Sequence, residues 1–114
     1  MNKILWKPTH IRDTHISKFI DMVNDTYGQN LQTYGDLYDW SINNISQFWE
    51  ASLEYSDIKY QGTYKNVLDS LHMTPGVKWF SGLNLNFAEN LLKHRDDKTA
   101  IIAKIENHPI KQIS

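Results

Sequence analysis

The residues best suited to chemistry are histidines and paired carboxylates. His94 and Asp97 have the i, i+3 spacing of a helical metal site, but they fall in a charged turn, where side chains are usually solvated. The paired acids are Asp36 with Asp39 and Asp96 with Asp97. A general acid needs burial or a charged neighbour to shift its pKa, and the sequence indicates neither. We therefore predict no catalytic residue and no metal ligand in this chain.

Cofactor loops and nucleophiles are equally sparse. The five glycines, at 28, 35, 62, 76 and 82, are too scattered for a loop whose backbone N–H groups cradle phosphate. The absence of cysteine excludes disulfides and thiol nucleophiles. A net charge of −1 argues against nucleic acid or an anionic membrane as a partner. The scattered glycines therefore predict no cofactor-binding residue. With no signal peptide and no long apolar run, we also expect a cytoplasmic protein with no membrane partner.

The elements that would position any site are mainly helical. With 114 residues the chain can bury one modest core, so we predict a single domain over 1–114. Apolar residues at helical spacing predict helices over 14–27, 34–41, 44–55 and 86–93. Residues 64–71 could be a short strand or a turn of helix, and 74–76 is a turn signal.

End signals mark the first and third helices. Thr14 can cap the start of the first helix, and Gly28 can take the left-handed conformation at its end. Asn44 and Gln47 have capping-box spacing at the start of the third helix. In the second helix the predicted apolar stripe leaves Trp40 at its edge.

The C-terminal residues predict a β-hairpin. Residues 99–105 are β-branched, 106–109 form a turn, and 110–114 begin a second strand. The predicted fold is therefore mainly α with a small C-terminal β-hairpin, in the α+β class. Because the hairpin stops almost as it begins, we expect a truncated piece of a longer protein. Its unpaired edge would allow a homodimer of the piece.

One segment carries a specific resemblance. Residues 79–92 fit W-F-x-G-x-x-L-N-x-A-E-N-L-L, a signature near the N-terminus of acyl-CoA synthetases of the acetyl-CoA synthetase type. Residues 34–41 and 48–49 resemble that family's Y-x-x-L-x-x-W-S and F-W motifs, and Trp6-x-Pro8 resembles its acetoacetyl-CoA synthetase branch. The matching positions, to which we assign structural or interdomain roles, are Trp6, Pro8, Trp40, Ser41, Phe48, Trp49, Trp79, Phe80, Gly82, Leu85, Asn86, Ala88, Glu89 and Asn90.

The resemblance implies an N-terminal cap domain that packs on the adenylation domain of an adenylate-forming enzyme. Residues 99–114 would begin a sheet of that missing domain, which is the expected partner. The implied activity is that of an AMP-forming acetoacetate–CoA ligase in lipid and ketone-body metabolism, with ATP, magnesium and CoA as cofactors. The family's phosphate loop and catalytic lysine match no position here. The fragment alone is therefore expected to be inactive and to bind no cofactor.

The residues of the signature also have a physical reading. Trp49 and Trp79 are predicted core anchors, and Gly82 would allow a tight turn. Asn86 and Glu89 have capping-box spacing, which would place Leu91 and Leu92 on the buried side of the last helix. Asn90 has no local role, so we expect it to bond to backbone outside its helix or to the missing domain.

Two alternatives remain open. One is a fragment of an acetyl- or propionyl-CoA synthetase, against which the Trp6-x-Pro8 start weighs. The other is a free-standing interaction module, since 12% of the residues are aromatic.

Overall fold

The computed structural model describes residues 4–72 and 75–114. These residues form a 3₁₀ helix, Ile11–Asp13, and four α-helices: α1 (His15–Tyr27), α2 (Tyr34–Asn43), α3 (Ile45–Tyr55) and α4 (Phe87–Leu91). Two small sheets pair β1 (Gln61–Gly62) with β2 (Leu83–Asn84), and β3 (Ile101–Ala103) with β4 (Lys111–Ile113). The predicted turn over 74–76 begins outside the described residues.

The chain divides into two compact units. The first comprises the residues up to Ile58 together with Gly62–Leu83, and the second comprises Lys59–Gln61 together with Asn84–Ser114. The single domain over 1–114 stays a prediction. No helix among the described residues has the length and apolar character needed to cross a membrane.

Helix α1 has the predicted ends and buries most of the predicted stripe. Thr14 Oγ1 accepts a hydrogen bond from the Ser17 backbone N–H at 3.4 Å, and Gly28 has φ of 62°. Of the predicted stripe, which comprises Ile16, Phe19, Ile20, Val23 and Tyr27, the helix buries Phe19, Ile20 and Val23, whereas Ile16 is exposed. These three residues are half of a core completed by Leu37, Trp40 and Ala51.

Helix α2 buries only part of the stripe predicted for it, which comprised Tyr34, Leu37, Tyr38 and Ser41, and it buries Trp40 as well. Leu37 and Trp40 are buried, with Trp40 only 6% exposed, whereas Tyr34 and Tyr38 are 69% and 53% exposed. The placement of Trp40 at the edge of the stripe was therefore wrong. The indole is the largest apolar group on the helix, so its burial removes the most apolar area from water. The phenol groups of the two tyrosines remain hydrated.

The start of α3 corrects a second prediction. The Asn44 side chain makes no capping bond and instead donates from Nδ2 to the Trp40 backbone oxygen at 3.0 Å. The Asn44–Gln47 capping box was therefore wrong. Because α2 ends immediately before Asn44, the Trp40 carbonyl lies within reach of the side-chain amide as well as of the Asn44 backbone N–H, which donates to it at 2.9 Å.

The segment after α3 is neither a regular strand nor a helix. Leu68 forms an isolated antiparallel bridge with Trp79, and the Phe80 backbone N–H donates to the Val67 oxygen at 2.7 Å. Val67 is buried. In place of the predicted strand or helical turn, residues 64–71 therefore form a single β-bridge to Trp79, the first residue of the signature.

The second unit contains the predicted hairpin. Strands β3 and β4 are antiparallel, with Ile101 opposite Ile113 and Ala103 opposite Lys111. However, Leu91 at the end of α4 and Leu92 immediately after it are 65% and 66% exposed, so their predicted burial was wrong. Helix α4 has only five residues, and no described residue of this unit is fully buried, so there is no core for its apolar side chains.

Candidate functional site

A row of aromatic rings in the first unit brings three predicted site residues together. Neighbouring rings meet edge to face with centroid distances between 5.3 and 6.1 Å. In order, the row is His15, Tyr55, Phe19, Phe48, Trp49 and Trp79. Trp49 is 44% exposed and Trp79 is half-buried, so their assignment as core anchors was wrong. The row ends at the surface on this tryptophan pair.

Two glycines allow the chain to pass close to itself beside the signature. Gly82 has φ of 106°, and a Cβ on it would collide with the Thr63 backbone oxygen. Gly62 has φ of 94°, and a Cβ on it would collide with the Gly82 oxygen. Each glycine therefore makes room for the other strand. The predicted tight turn is present, since the Leu83 N–H donates to the Phe80 oxygen at 3.0 Å.

A shared carboxylate fixes the segment that precedes this turn. The Tyr64 hydroxyl donates to Glu50 Oε1 at 2.8 Å, and the Tyr27 hydroxyl donates to Glu50 Oε2 at 3.4 Å. Burial raises the pKa of Tyr27, and the negative charge of Glu50 raises it further. The ring of Tyr64 also meets Phe80 edge to face at 5.1 Å. No spacing rule in the sequence pointed to Glu50.

In the second unit, Asn90 brackets a distant stretch of backbone. The Lys59 N–H donates to Asn90 Oδ1 at 2.8 Å, and Asn90 Nδ2 donates to the Lys59 oxygen at 2.9 Å. Asn90 Nδ2 also reaches the Asn86 oxygen at 3.0 Å. The expected bond from Asn90 to backbone outside its helix is therefore confirmed. Lys59 was missed, because nothing in its neighbourhood marks it.

The rest of the signature surrounds an open cavity of about 420 Å³. Its lining residues are mostly polar: Lys59, Tyr60, Gln61, Asn84, Leu85, Asn86 and Glu89. Asn86 caps α4 by accepting from the Glu89 N–H at 3.2 Å. Within the described residues the Glu89 carboxylate makes no reciprocal bond to the Asn86 backbone, so only half of the predicted capping box forms.

The other predicted site residues stand apart from these groups. Trp6 is 78% exposed, Pro8 is half-buried and Ala88 is exposed. Trp40 lies in the core, and the Ser41 hydroxyl donates to the Tyr38 oxygen at 2.7 Å. Across residues 4–72 and 75–114, no three histidine, aspartate or glutamate side chains gather as a metal ion would require. The hydrogen bonds of Glu50 and Asn90 hold the backbone in place in their respective units. The polar cavity and the Trp49 ring remain open to solvent.

The sequence of this chain is similar to a known protein family and to several known proteins. Residues 34–91 match the family described as acetyl-coenzyme A synthetase N-terminus. An acetoacetyl-CoA synthetase from Danio rerio is 40% identical over 107 residues, covering 92% of this chain and 16% of that protein. A malonamoyl-CoA synthetase from Penicillium aethiopicum is 42% identical over 91 residues, covering 79% of this chain and 13% of that protein.

One solved structure is also similar. An acetoacetyl-CoA synthetase from Streptomyces lividans matches with a TM-score of 0.77 and 26% identity, covering 99% of this chain and 18% of that chain. The chain thus spans less than a fifth of the length of each of these proteins.

Proposed function

We infer the function from one premise: this chain belongs to the acetyl-coenzyme A synthetase N-terminus family. We propose that it is the N-terminal, non-catalytic domain of a cytoplasmic acetoacetate–CoA ligase. The observation that carries the proposal is 40% identity to an acetoacetyl-CoA synthetase over 92% of the chain. The ligase would activate acetoacetate with ATP as an acyl-adenylate, releasing pyrophosphate, and then transfer the acyl group to CoA with release of AMP.

ATP, magnesium and CoA would bind to residues beyond 1–114. A phosphate site needs backbone N–H groups that face an open loop. Gly62 and Gly82 do not provide one, because the space beside each is filled by a backbone oxygen of the neighbouring strand. These two glycines therefore offer no phosphate cradle, and no step of the reaction is assigned to the residues of this chain.

The role of the chain in the ligase would be to pack against the adenylation domain. The support is apolar surface on the signature segment, where the exposed large side chains are Leu85 (59%), Phe87 (72%), Leu91 (65%) and Leu92 (66%). An apolar patch of this kind usually marks an interaction site. The hairpin of β3 and β4 would begin a sheet that the adenylation domain completes.

The malonamoyl-CoA synthetase supports a second candidate substrate. Acetoacetate and malonamate are both short acids with a carbonyl at the β-carbon, and they differ only by a methyl group in place of an amino group. A pocket that accepts one needs little change for the other, unless it bonds specifically to the amide N–H. The substrate class is therefore a short β-carbonyl acid, with acetoacetate preferred.

The test is acid specificity in a complete ligase that carries this chain at its N-terminus. Thioester formation should have its highest kcat/KM with acetoacetate, followed by malonamate, and residues 1–114 alone should show only background ATP–pyrophosphate exchange. A preference for acetate or propionate would instead identify an acetyl- or propionyl-CoA synthetase. Inactivity with all four acids would reject the ligase and favour an interaction module.

A further inference from the structure

The first described residues form an apolar arm. The side chains of Ile4, Leu5 and Trp6 are 78%, 91% and 78% exposed. Large apolar side chains that adjoin one another on a surface are commonly part of an interaction site. Trp6 also belongs to the Trp6-x-Pro8 pattern, for which the proposed function gives no role.

The same unit contains an open groove of about 450 Å³ between α1, α2 and α3. Aromatic and aliphatic side chains supply most of its lining, including Phe19, Leu37 and Phe48. The hydroxyls of Ser41 and Ser52, which also line it, donate to backbone oxygens of their own helices at 2.7 Å. These hydroxyl protons are already engaged, so the groove suits an apolar occupant.

Charge favours the arm as that occupant. In the sequence, the three helices around the groove carry six acidic side chains and one lysine, Lys18. The arm has a lysine on each side, Lys3 and Lys7. An apolar segment bounded by cations therefore complements an apolar groove formed by acidic helices.

The tether is long enough. The Ile11 oxygen accepts hydrogen bonds from the Thr14 and Ser17 hydroxyls, each at 2.7 Å, which fixes the 3₁₀ helix against the start of α1. The groove begins close by, at His15 and Ile16. The five residue steps from Trp6 to Ile11 can span about 17 Å.

We propose that Ile4–Trp6 is a strap that closes over this groove within the same chain, with the Trp6 ring as its anchor. The structure shows the released state, with the arm exposed and the groove open. Closure would remove both apolar surfaces from water at once. The short tether gives the strap an effective concentration of order millimolar at the groove, an advantage over any free competitor.

The absence of cysteine makes disulfide trapping a clean test. The test pair is Leu5→Cys with Ser41→Cys, which joins the arm to the groove. The control pair is Leu5→Cys with Lys18→Cys, because Lys18 is an exposed residue of α1 outside the groove lining and is nearer to the arm in sequence. Tethering alone would favour the control pair.

We expect the intramolecular disulfide of the test pair to form about 10-fold faster than that of the control pair in the same oxidant. Adding Trp6→Ala should remove this advantage, and Trp6→Phe should keep most of it. Circular dichroism of each variant confirms that the helices persist. Equal rates for the two pairs would overturn the strap, as would disulfides that form only between molecules.

Discussion

Asn24 and Asn90 perform the same task at two places in the chain. Asn24 Nδ2 donates to the Leu31 oxygen at 3.0 Å, and the Leu31 N–H donates to Asn24 Oδ1 at 2.8 Å, as Asn90 does with Lys59. A carboxamide has a donor and an acceptor spaced like those of a peptide group, so it can pair with a distant backbone as a strand would. A carboxylate has no donor and cannot replace it.

The bracket at Asn90 gives the first prediction. Asn90→Ala should cost about 1–2 kcal/mol and speed hydrogen exchange of the Lys59 amide by about 5- to 30-fold, because that N–H loses its acceptor. Asn90→Asp should also destabilise, since its carboxylate would face the Lys59 and Asn86 oxygens. Asn84→Ala is the control, because Asn84 lines the same cavity and is exposed. Unchanged exchange at Lys59 would contradict the bracket.

Replacing Trp40 or Trp49 by alanine should reduce the free energy of unfolding by different amounts. Trp40 is 6% exposed, so Trp40→Ala should cost about 3–5 kcal/mol. Trp49 is 44% exposed and keeps mainly its edge-to-face contacts, so Trp49→Ala should cost about 1–2 kcal/mol. Urea unfolding of the two variants beside the parent gives both values. Equal losses would mean that Trp49 lies in the core after all.

At the scale of elements, the start of α2 is the most fully bonded helix end. Thr33 Oγ1 accepts from the Asp36 N–H at 3.2 Å, and Asp36 Oδ2 accepts from the Thr33 and Gln32 N–H groups at 2.8 and 2.9 Å. The backbone N–H of Gln32, followed by that of Thr33, holds the pKa of Asp36 below its ordinary value. The charged carboxylate therefore stabilises the folded helix.

This cap predicts a pH dependence of α2. A pKa lowered by folding contributes stability above the unfolded value of about 4, and that stability is lost as the pH falls through the folded value. Asp36→Asn should make α2 less stable at neutral pH and flatten its acid dependence, measured by hydrogen exchange of the α2 amides. Asp39→Asn, on the same helix but outside the cap, is the control. An acid profile of α2 unchanged by Asp36→Asn would contradict the role of the cap.

Helix α1 was found together with its ends because its apolar stripe lies between two end signals, Thr14 and Gly28. Helix α2 was found from its period alone, and the hairpin from the β-branched residues of 99–105 and the turn that follows them. The pairing of β1 with β2 was missed, because strands of two residues have no measurable period. The cap expected at Asn44 failed because the end of α2, only four residues back at the Trp40 carbonyl, competed for its side chain.

The sequence identified the residues of the candidate site but not the contacts that they make. The resemblance marked Trp49, Trp79 and Asn90, yet the contact between the two tryptophans and the bond from Asn90 to Lys59 join residues about 30 positions apart. Spacing rules act within an element, so they could not supply these pairs. Glu50 was missed for the same reason, since its two tyrosine partners lie in other segments.

At the scale of the whole molecule, exposed surface dominates. The chain exposes 10,123 Å², whereas a folded monomer of 13.4 kDa is expected to expose about 6,500 Å². The buried core is confined to the first unit, and the apolar side chains of α4 and the hairpin face solvent. Because so much apolar surface is exposed, the chain gains stability from any partner that covers those side chains.

When the chain is isolated, a partner that covers the hairpin would add the most stability. We propose that this partner is a second copy of the chain. Ile101, Ile102, Ile105, Ile110 and Ile113 are 53–67% exposed, and no further strand among the described residues pairs with β3 or β4. Strand β3 carries no charge over Ile101–Ala103, whereas β4 begins with Lys111, and a lysine on an edge discourages pairing. The free edge of β3 is therefore the favoured contact.

A two-fold antiparallel pairing centred on Ile102 would join two hairpins into a four-stranded sheet. We expect residues 1–114 to associate with rising concentration in light scattering, and Ile102→Lys to prevent it, because two lysines would meet at the centre of the contact. Gln112→Lys, opposite Ile102 on β4, is the matched control and should still associate. A chain that stays monomeric at high concentration while the β3 amides resist hydrogen exchange would show that this edge is already covered within one molecule.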